Sequence, residues 1–246
     1  MFDTHCHLNS YYKNSQRFPK SDNSFLAVST QLRDWIPTLE FSAKYNHVFP
    51  ALGIHPWFVN DSFSVDLLVL KSLLSKTKVT ALGEIGLDFK DEYTNTKSIQ
   101  LTCFEAQLQI AQHHKLPVSL HCVKAHNEML SLLKTYNVKG VIHGLGTSVQ
   151  IAQQYIDLGF KFGVNGVTVR GNAKRYHELV KSFGLKHIVL ETDYPNINLP
   201  GLVKCELSDI DIVTKEVAAL LNTTIEDVVK QTDYNSFQLF NKNEFL

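Results

Sequence analysis

Residues 117–143 read PVSLHCVKAHNEMLSLLKTYNVKGVIH. Pro117–His121 and Val138–His143 are short apolar runs, each closed by a histidine. Between them Met129, Leu130, Leu132 and Leu133 follow His126 at helical spacing. Continuous apolarity, rather than alternation, marks strands covered on both faces, as in a parallel sheet. The stretch therefore reads as strand, helix, strand, with His121 and His143 at two strand ends.

The same pattern extends outward. Met1–His7, Phe25–Thr30, Val48–Ile54, Val79–Ile85, Phe160–Val164 and His187–Thr192 read as six further buried strands. Helical patterns separate most of them. Asp66–Leu74 carries Leu67, Leu68, Val69, Leu70, Leu73 and Leu74, read as one dense apolar stripe. Phe104, Leu108 and Ala111 recur at helical spacing, and Thr147 or Ser148 is placed to cap the next helix. Ala173–Phe183 and one or two helices within Ser208–Phe240 complete the set.

Eight strands alternating with helices over 246 residues predict a single domain, residues 1–246, folded as a (β/α)8 TIM barrel. A doubly wound sheet would need the strand order to reverse midway, and no Gly-rich dinucleotide fingerprint follows the first strand. Asn9–Ser24 is polar, aromatic-rich and holds Pro19, so a loop is expected there in place of a first helix. Pro37 is expected in or near the first turn of its helix, where proline is tolerated.

Lys+Arg and Asp+Glu balance at 24 each, which leaves no global electrostatic footprint for long duplex nucleic acid. Cys6, Cys103, Cys122 and Cys205 are scattered without a C-x-x-C pair, so free thiols in a reducing cytoplasm are expected. No apolar stretch approaches the roughly 20 residues of a membrane span. Neither a membrane nor an obligate protein partner is indicated.

Candidate ligands fall near strand ends in the order His5-x-His7, Glu84, His121, His143, Asp193. Side chains at i and i+2 of a strand share a face, so His5 and His7 point together and Cys6 points away. A carboxylate closing an apolar strand, as Glu84 does, is costly unless paired or metal-bound. Alone, His121 or His143 could be a hydrogen-bonded core histidine; in company they read as ligands. At the last strand Asp193 is preferred over Glu191 because it lies at the terminal edge. Asp88 could be no more than a loop cap.

Phe2-Asp3-Thr4-His5-Cys6-His7-Leu8, Gly53-Ile54-His55-Pro56, Gly83-Glu84-Ile85-Gly86-Leu87-Asp88, Leu116-Pro117-Val118-x-x-His121 and Glu191-Thr192-Asp193-x-Pro195 together resemble the TatD-related deoxyribonucleases, as does Asn235-x-x-x-Leu239-Phe240 near the end. The resemblance implies a barrel with two, sometimes three, divalent cations at the C-terminal mouth (Zn, Mg, Mn, Ni, Fe or Co). By position His5, His7 and Asp193 would hold one cation, and His121 and His143 the other, with Glu84 bridging. The implied reaction is hydrolysis of DNA phosphodiesters, often from an end, by metal-activated water, with Glu84 and Asp193 as catalytic residues. His55 matches a histidine near the substrate phosphate, or could be a loop residue stacked on Trp57.

Three departures bear on substrate. The usual His-Ser-Arg after the fifth strand is here His121-Cys122-Val123-Lys124, so a bidentate phosphate contact is lost and Lys124 is the nearest replacement. The usual His-Cys-Phe-Ser-Gly after the sixth is His143-Gly144-Leu145-Gly146-Thr147. The loop after His7 lacks the usual helix. A metal-dependent hydrolase of a small carboxylic ester or amide therefore stands as an alternative, as does a non-catalytic barrel that keeps its metals structurally.

Overall fold

The computed structural model describes residues 1–13 and 18–240. Eight strands follow one another around a single sheet: Phe2–Cys6 (β1), Ser24–Val28 (β2), Val48–Leu52 (β3), Ala81–Asp88 (β4), Val118–Val123 (β5), Gly140–Ile142 (β6), Lys161–Val164 (β7) and Ile188–Leu190 (β8). Every paired neighbour is parallel and the order is sequential, with no reversal. A parallel bridge from Cys6 to Tyr194 joins the last strand's extension to the first. The Asp193 amide donates to His5 O and the His7 amide to Tyr194 O across this seam. This is the (β/α)8 barrel, and its closure sets the ends of β1 and β8 side by side.

The helices are Asn9–Lys13 (α1), Leu32–Lys44 (α2), Phe63–Lys76 (α3), Lys97–His114 (α4), His126–Leu133 (α5), Val149–Asp157 (α6), Lys174–Phe183 (α7), Ile210–Leu221 (α8) and Ile225–Phe240 (α9). Ser148 caps α6, its hydroxyl accepting from the Ile151 amide. The main apolar core lies between strands and helices and includes Leu82, Phe104, Leu120, Met129, Ile142 and Tyr155. Inside the barrel Phe2, Leu26, Ala51, Val141 and Val189 pack with Leu239 and Phe240 of α9. The last helix is tied on by Asn235, whose Nδ2 donates to Leu185 O and Ile188 O, both at 2.7 Å.

Three local expectations are corrected. The segment after His7 is not wholly a loop, because Asn9–Lys13 forms a short helix; residues 14–17 of that segment lie outside the described residues. Pro37 sits in the second turn of α2, where it removes an amide donor that the helix would use. The stripe in α3 is narrower than read: Leu67 and Leu70 are buried, but Leu68 is 66% exposed. Four consecutive apolar residues span a helix all round, so they cannot share one face.

Asp3 is wholly buried and ties the seam at a second point. Its carboxylate accepts from the His5 amide, the Thr192 amide and the Thr192 hydroxyl. Among the described residues no helix is long and apolar enough to cross a membrane.

Candidate metal centre

The barrel brings His5, His7, Glu84, His121, His143 and Asp193 to the C-terminal mouth. All but the wholly buried His5 line an open cleft of about 430 Å3 there. Glu84 is the hub. Its Oε2 lies 3.4 Å from His5 Nε2 and 3.6 Å from His7 Nε2. Its Oε1 lies 3.2 Å from His121 Nδ1 and 3.5 Å from His55 Nε2. Asp193 extends the cluster, with Oδ1 3.6 Å from His7 Nε2 and Oδ2 3.5 Å from His143 Nε2. The His143 ring stacks on His5 at 3.8 Å between centroids. His121 instead meets His55 edge-on at 4.4 Å.

The far nitrogens of His5, His7 and His121 are held by the protein. His5 Nδ1 lies 3.0 Å from Ser119 Oγ, and His7 Nδ1 3.3 Å from Val28 O. His121 Nε2 donates to Asp88 Oδ2 at 3.0 Å. His143 Nδ1 lies 2.8 Å from Glu191 Oε1, but off the line of a hydrogen bond. These partners fix ring orientation and leave the opposite nitrogens facing the carboxylates.

His5 Nε2 is buried and finds no hydrogen-bond partner among the described residues. An imidazole nitrogen in that state is costly unless a cation accepts its lone pair. The donor separations of 3.2–3.6 Å are what ligands about 2.0–2.2 Å from a shared tetrahedral cation span. Three sets of side chains can converge on an ion: His5, His7 and Glu84; His5, His143 and Glu191; His55, Glu84 and His121. The mixed nitrogen and oxygen donors suit first-row divalent cations.

Electrostatics follow from this packing. Burial would raise the Glu84 carboxyl, but the facing His55 and His5, with bonds from His121, outweigh it and hold it well below the usual range. Burial opposes charge on Asp193 too, yet His143 and His7 keep it low. Burial would lower His7, His121 and His143. Asp193 and Glu84 raise His7, Asp88 and Glu84 raise His121, and Glu191 and Asp193 hold His143 well above the usual histidine value. His5 is lowered by burial and by the facing His143.

His55 differs from the other rings. Its Nδ1 accepts the Trp57 amide at 3.2 Å, so the proton of the neutral ring sits on Nε2, facing Glu84 Oε1. Burial pushes its pKa down to about 4, which keeps it neutral at ordinary pH. That tautomer offers a donor to an anion, not a lone pair to a cation.

Lys124 is not among the residues lining the cleft. It has φ +54°, and its ammonium meets Asp91 on the surface at 3.2 Å. Glu191 is buried beneath the mouth, where Oε1 accepts from the Gly144 amide and Asn165 Nδ2. Sequence reasoning weighed Asp88 and Glu191 and set them aside, and it passed over Ser119 and Asn196, the latter donating to Asp193 Oδ1 at 3.0 Å. Ser119 and Glu191 each stand two places before a candidate ligand, and that spacing was the available signal.

Gly163 makes room for Glu191: a Cβ there would lie 1.9 Å from Glu191 Oε2. Gly163→Ala is therefore expected to displace the carboxylate from His143. It should lower metal affinity by roughly 10- to 100-fold, the usual cost of losing an outer partner of a ligand. Calorimetric metal titration of the variant reads this directly; unchanged affinity would remove Glu191 from the centre.

The sequence model of the TatD related DNase family matches residues 2–241. The chain is similar to YjjV, an uncharacterized metal-dependent hydrolase of Escherichia coli, at 30% identity over 81% of each chain. It is similar to human deoxyribonuclease TATDN3 at 28% identity, covering 98% of this chain and 95% of that one. The crystal structure of E. coli YjjV, a TatD homolog, superposes with a TM-score of 0.89 at 27% identity, over 98% of both chains.

Proposed function

The chain belongs to the TatD-related deoxyribonuclease family, and from that premise we propose that it hydrolyses DNA phosphodiesters from a strand end with two divalent cations at the barrel mouth. The observation that carries this reading is the posture of Glu84. Its two oxygens face two different groups of imidazoles, His5 with His7 on one side and His121 on the other. A carboxylate so placed could hold a cation on each side.

Asp193 completes the first site; His143, expected with His121 at the second, stands beside Asp193 and His5 instead. Cations held there would lower the pKa of a water from about 15.7 toward 7 and neutralise charge on phosphate oxygens. The chain's own residues do the rest. Asp193, ionised and fixed by Asn196, takes the proton of the attacking water. His55 donates from Nε2 to a non-bridging phosphate oxygen. Asp88 and Glu191 keep His121 and His143 aimed.

Human TATDN3, named a deoxyribonuclease, supports DNA as substrate. One sheet running from β1 to β8 supports a single domain, and four free cysteines support a reducing compartment such as the cytoplasm.

The rival substrate is a carboxylic ester or amide. Metal-loaded protein given an oligonucleotide and a small carboxylic ester separates the two. Faster turnover of the oligonucleotide is expected; ester hydrolysis with intact DNA would transfer the assignment.

His55→Ala is expected to lower kcat/KM on DNA by about tenfold or more while metal content stays at the wild-type level. Because the ring is neutral above about pH 4, this deficit should be constant from pH 6 to 9. Metal analysis and a pH–rate profile check both points; loss of metal would make His55 a ligand instead.

A further inference from the structure

Of the exposed large apolar side chains among the described residues, only Trp57 and Phe58 line the cleft, at 44% and 37% exposure. The other tryptophan, Trp35, is wholly buried, its indole N–H spent on Gly53 O. Trp57 is not loose for being exposed. Its Nε1 donates at 2.7 Å to Asp88 Oδ2, the oxygen that also takes the His121 proton. Tyr93 stacks on the indole at 5.7 Å and 18°, and the Lys90 ammonium lies 5.4 Å over the ring. The indole is thus locked at the edge of a candidate ligand, 5.9 Å from the His121 ring. The other lining residues outside the ligand cluster, Asn9, Thr30, Pro195 and Asn196, are polar or aliphatic.

We propose that Trp57, framed by Phe58, Tyr93 and Lys90, is a stacking shelf for the nucleobase adjoining the scissile phosphate. This deepens the nuclease reading and rests on it. An exposed, rigid indole beside a phosphate-cleaving centre offers what a base needs: an apolar π surface, and a nearby cation complementary to the strand's charge. Stacking ignores base identity, so the shelf selects for an unpaired base rather than a sequence. Interior paired bases keep both faces inside the helix, whereas an unpaired base is free to turn one onto the indole.

The test has two arms on metal-loaded protein. In the first, a cleavage-resistant phosphorothioate oligothymidylate is titrated against tryptophan fluorescence. Quenching in the wild type, absent in Trp57→Phe, is expected, because buried Trp35 is out of reach. In the second, KM is compared for an oligonucleotide and the same strand with a terminal abasic tetrahydrofuran nucleotide. The wild type should lose about tenfold or more on the abasic strand. Trp57→Ala should treat both strands alike, since the base has nothing left to stack on. Structural damage through Asp88 and His121 would slow both strands but leave the abasic penalty standing, and that result overturns the shelf. Cleavage with unchanged fluorescence overturns it as well, and needs no variant to fold. Failure to bind or cleave either strand overturns the nuclease reading, and the shelf with it.

Discussion

Glu84→Ala is expected to abolish turnover, with a loss well beyond the roughly 10- to 100-fold that follows removal of an outer partner of a ligand. The reason is geometric. Glu84 is the one carboxylate that His5, His7, His55 and His121 all face. Its removal takes a ligand from both proposed sites and leaves the imidazoles facing one another with no anion between them. The barrel should persist, because β4 is held by its ladders to β3 and β5 and by Leu82, Ile85 and Leu87 in the core. Glu84→Gln keeps the shape and loses the charge, and it should be nearly as inactive. Turnover, metal content and near-ultraviolet circular dichroism measured together check the claim. Wild-type turnover in either variant would remove the dinuclear centre.

Withdrawal of metal is the second large effect. A chelator should stop turnover and lower Tm by about 5–10 °C for each cation removed, relative to protein with free cation at a hundred times Kd, where each site contributes about 2.7 kcal/mol. The pH dependence of the metal-free protein follows from the shifts at the mouth. His7, His121 and His143 are raised above 6.5 by their carboxylate neighbours. A base raised on folding adds stability that is full below its unfolded pKa and is lost as pH climbs through its folded one. The buried Asp3 acts in the same sense but at lower pH: burial raises it from 3.8 to about 7, so its share is lost between those values. Metal-free protein should therefore lose stability as pH rises above about 6.5. Cations need the deprotonated rings, so the metal-induced gain in Tm should grow over the same range. Thermal melts with and without cation test both slopes. A metal-free Tm that rises with pH would contradict the assignment of charge at the mouth.

The barrel was legible because burial on both faces leaves continuous apolar runs, and eight of them sit between helical patterns. The gathering of candidate ligands was legible for a related reason. A polar residue closing an apolar strand stands out, and parallel strands put all such ends on one side. What the sequence hid lies across elements. Asp88 read as a loop cap, yet it joins β4 to His121 of β5 and to Trp57 in the turn after β3. Glu191 lost to Asp193 on position alone, and only the fold shows it beneath His143 with Gly163 making room. Lys124 looked like a stand-in for a missing arginine, but its left-handed backbone belongs with a side chain set toward Asp91 rather than the cleft. The exposed side of α3 was misjudged because a run of leucines says nothing about which of them turns inward.

The most direct test is digestion of end-labelled single-stranded DNA by metal-stripped protein, with Mg, Mn or Zn restored singly and Glu84→Ala alongside. Stepwise shortening from one end, present only with restored metal and absent in Glu84→Ala, is the expected result. DNA left intact under every cation, or shortened equally well by Glu84→Ala, would contradict a metal-dependent nuclease centred on Glu84.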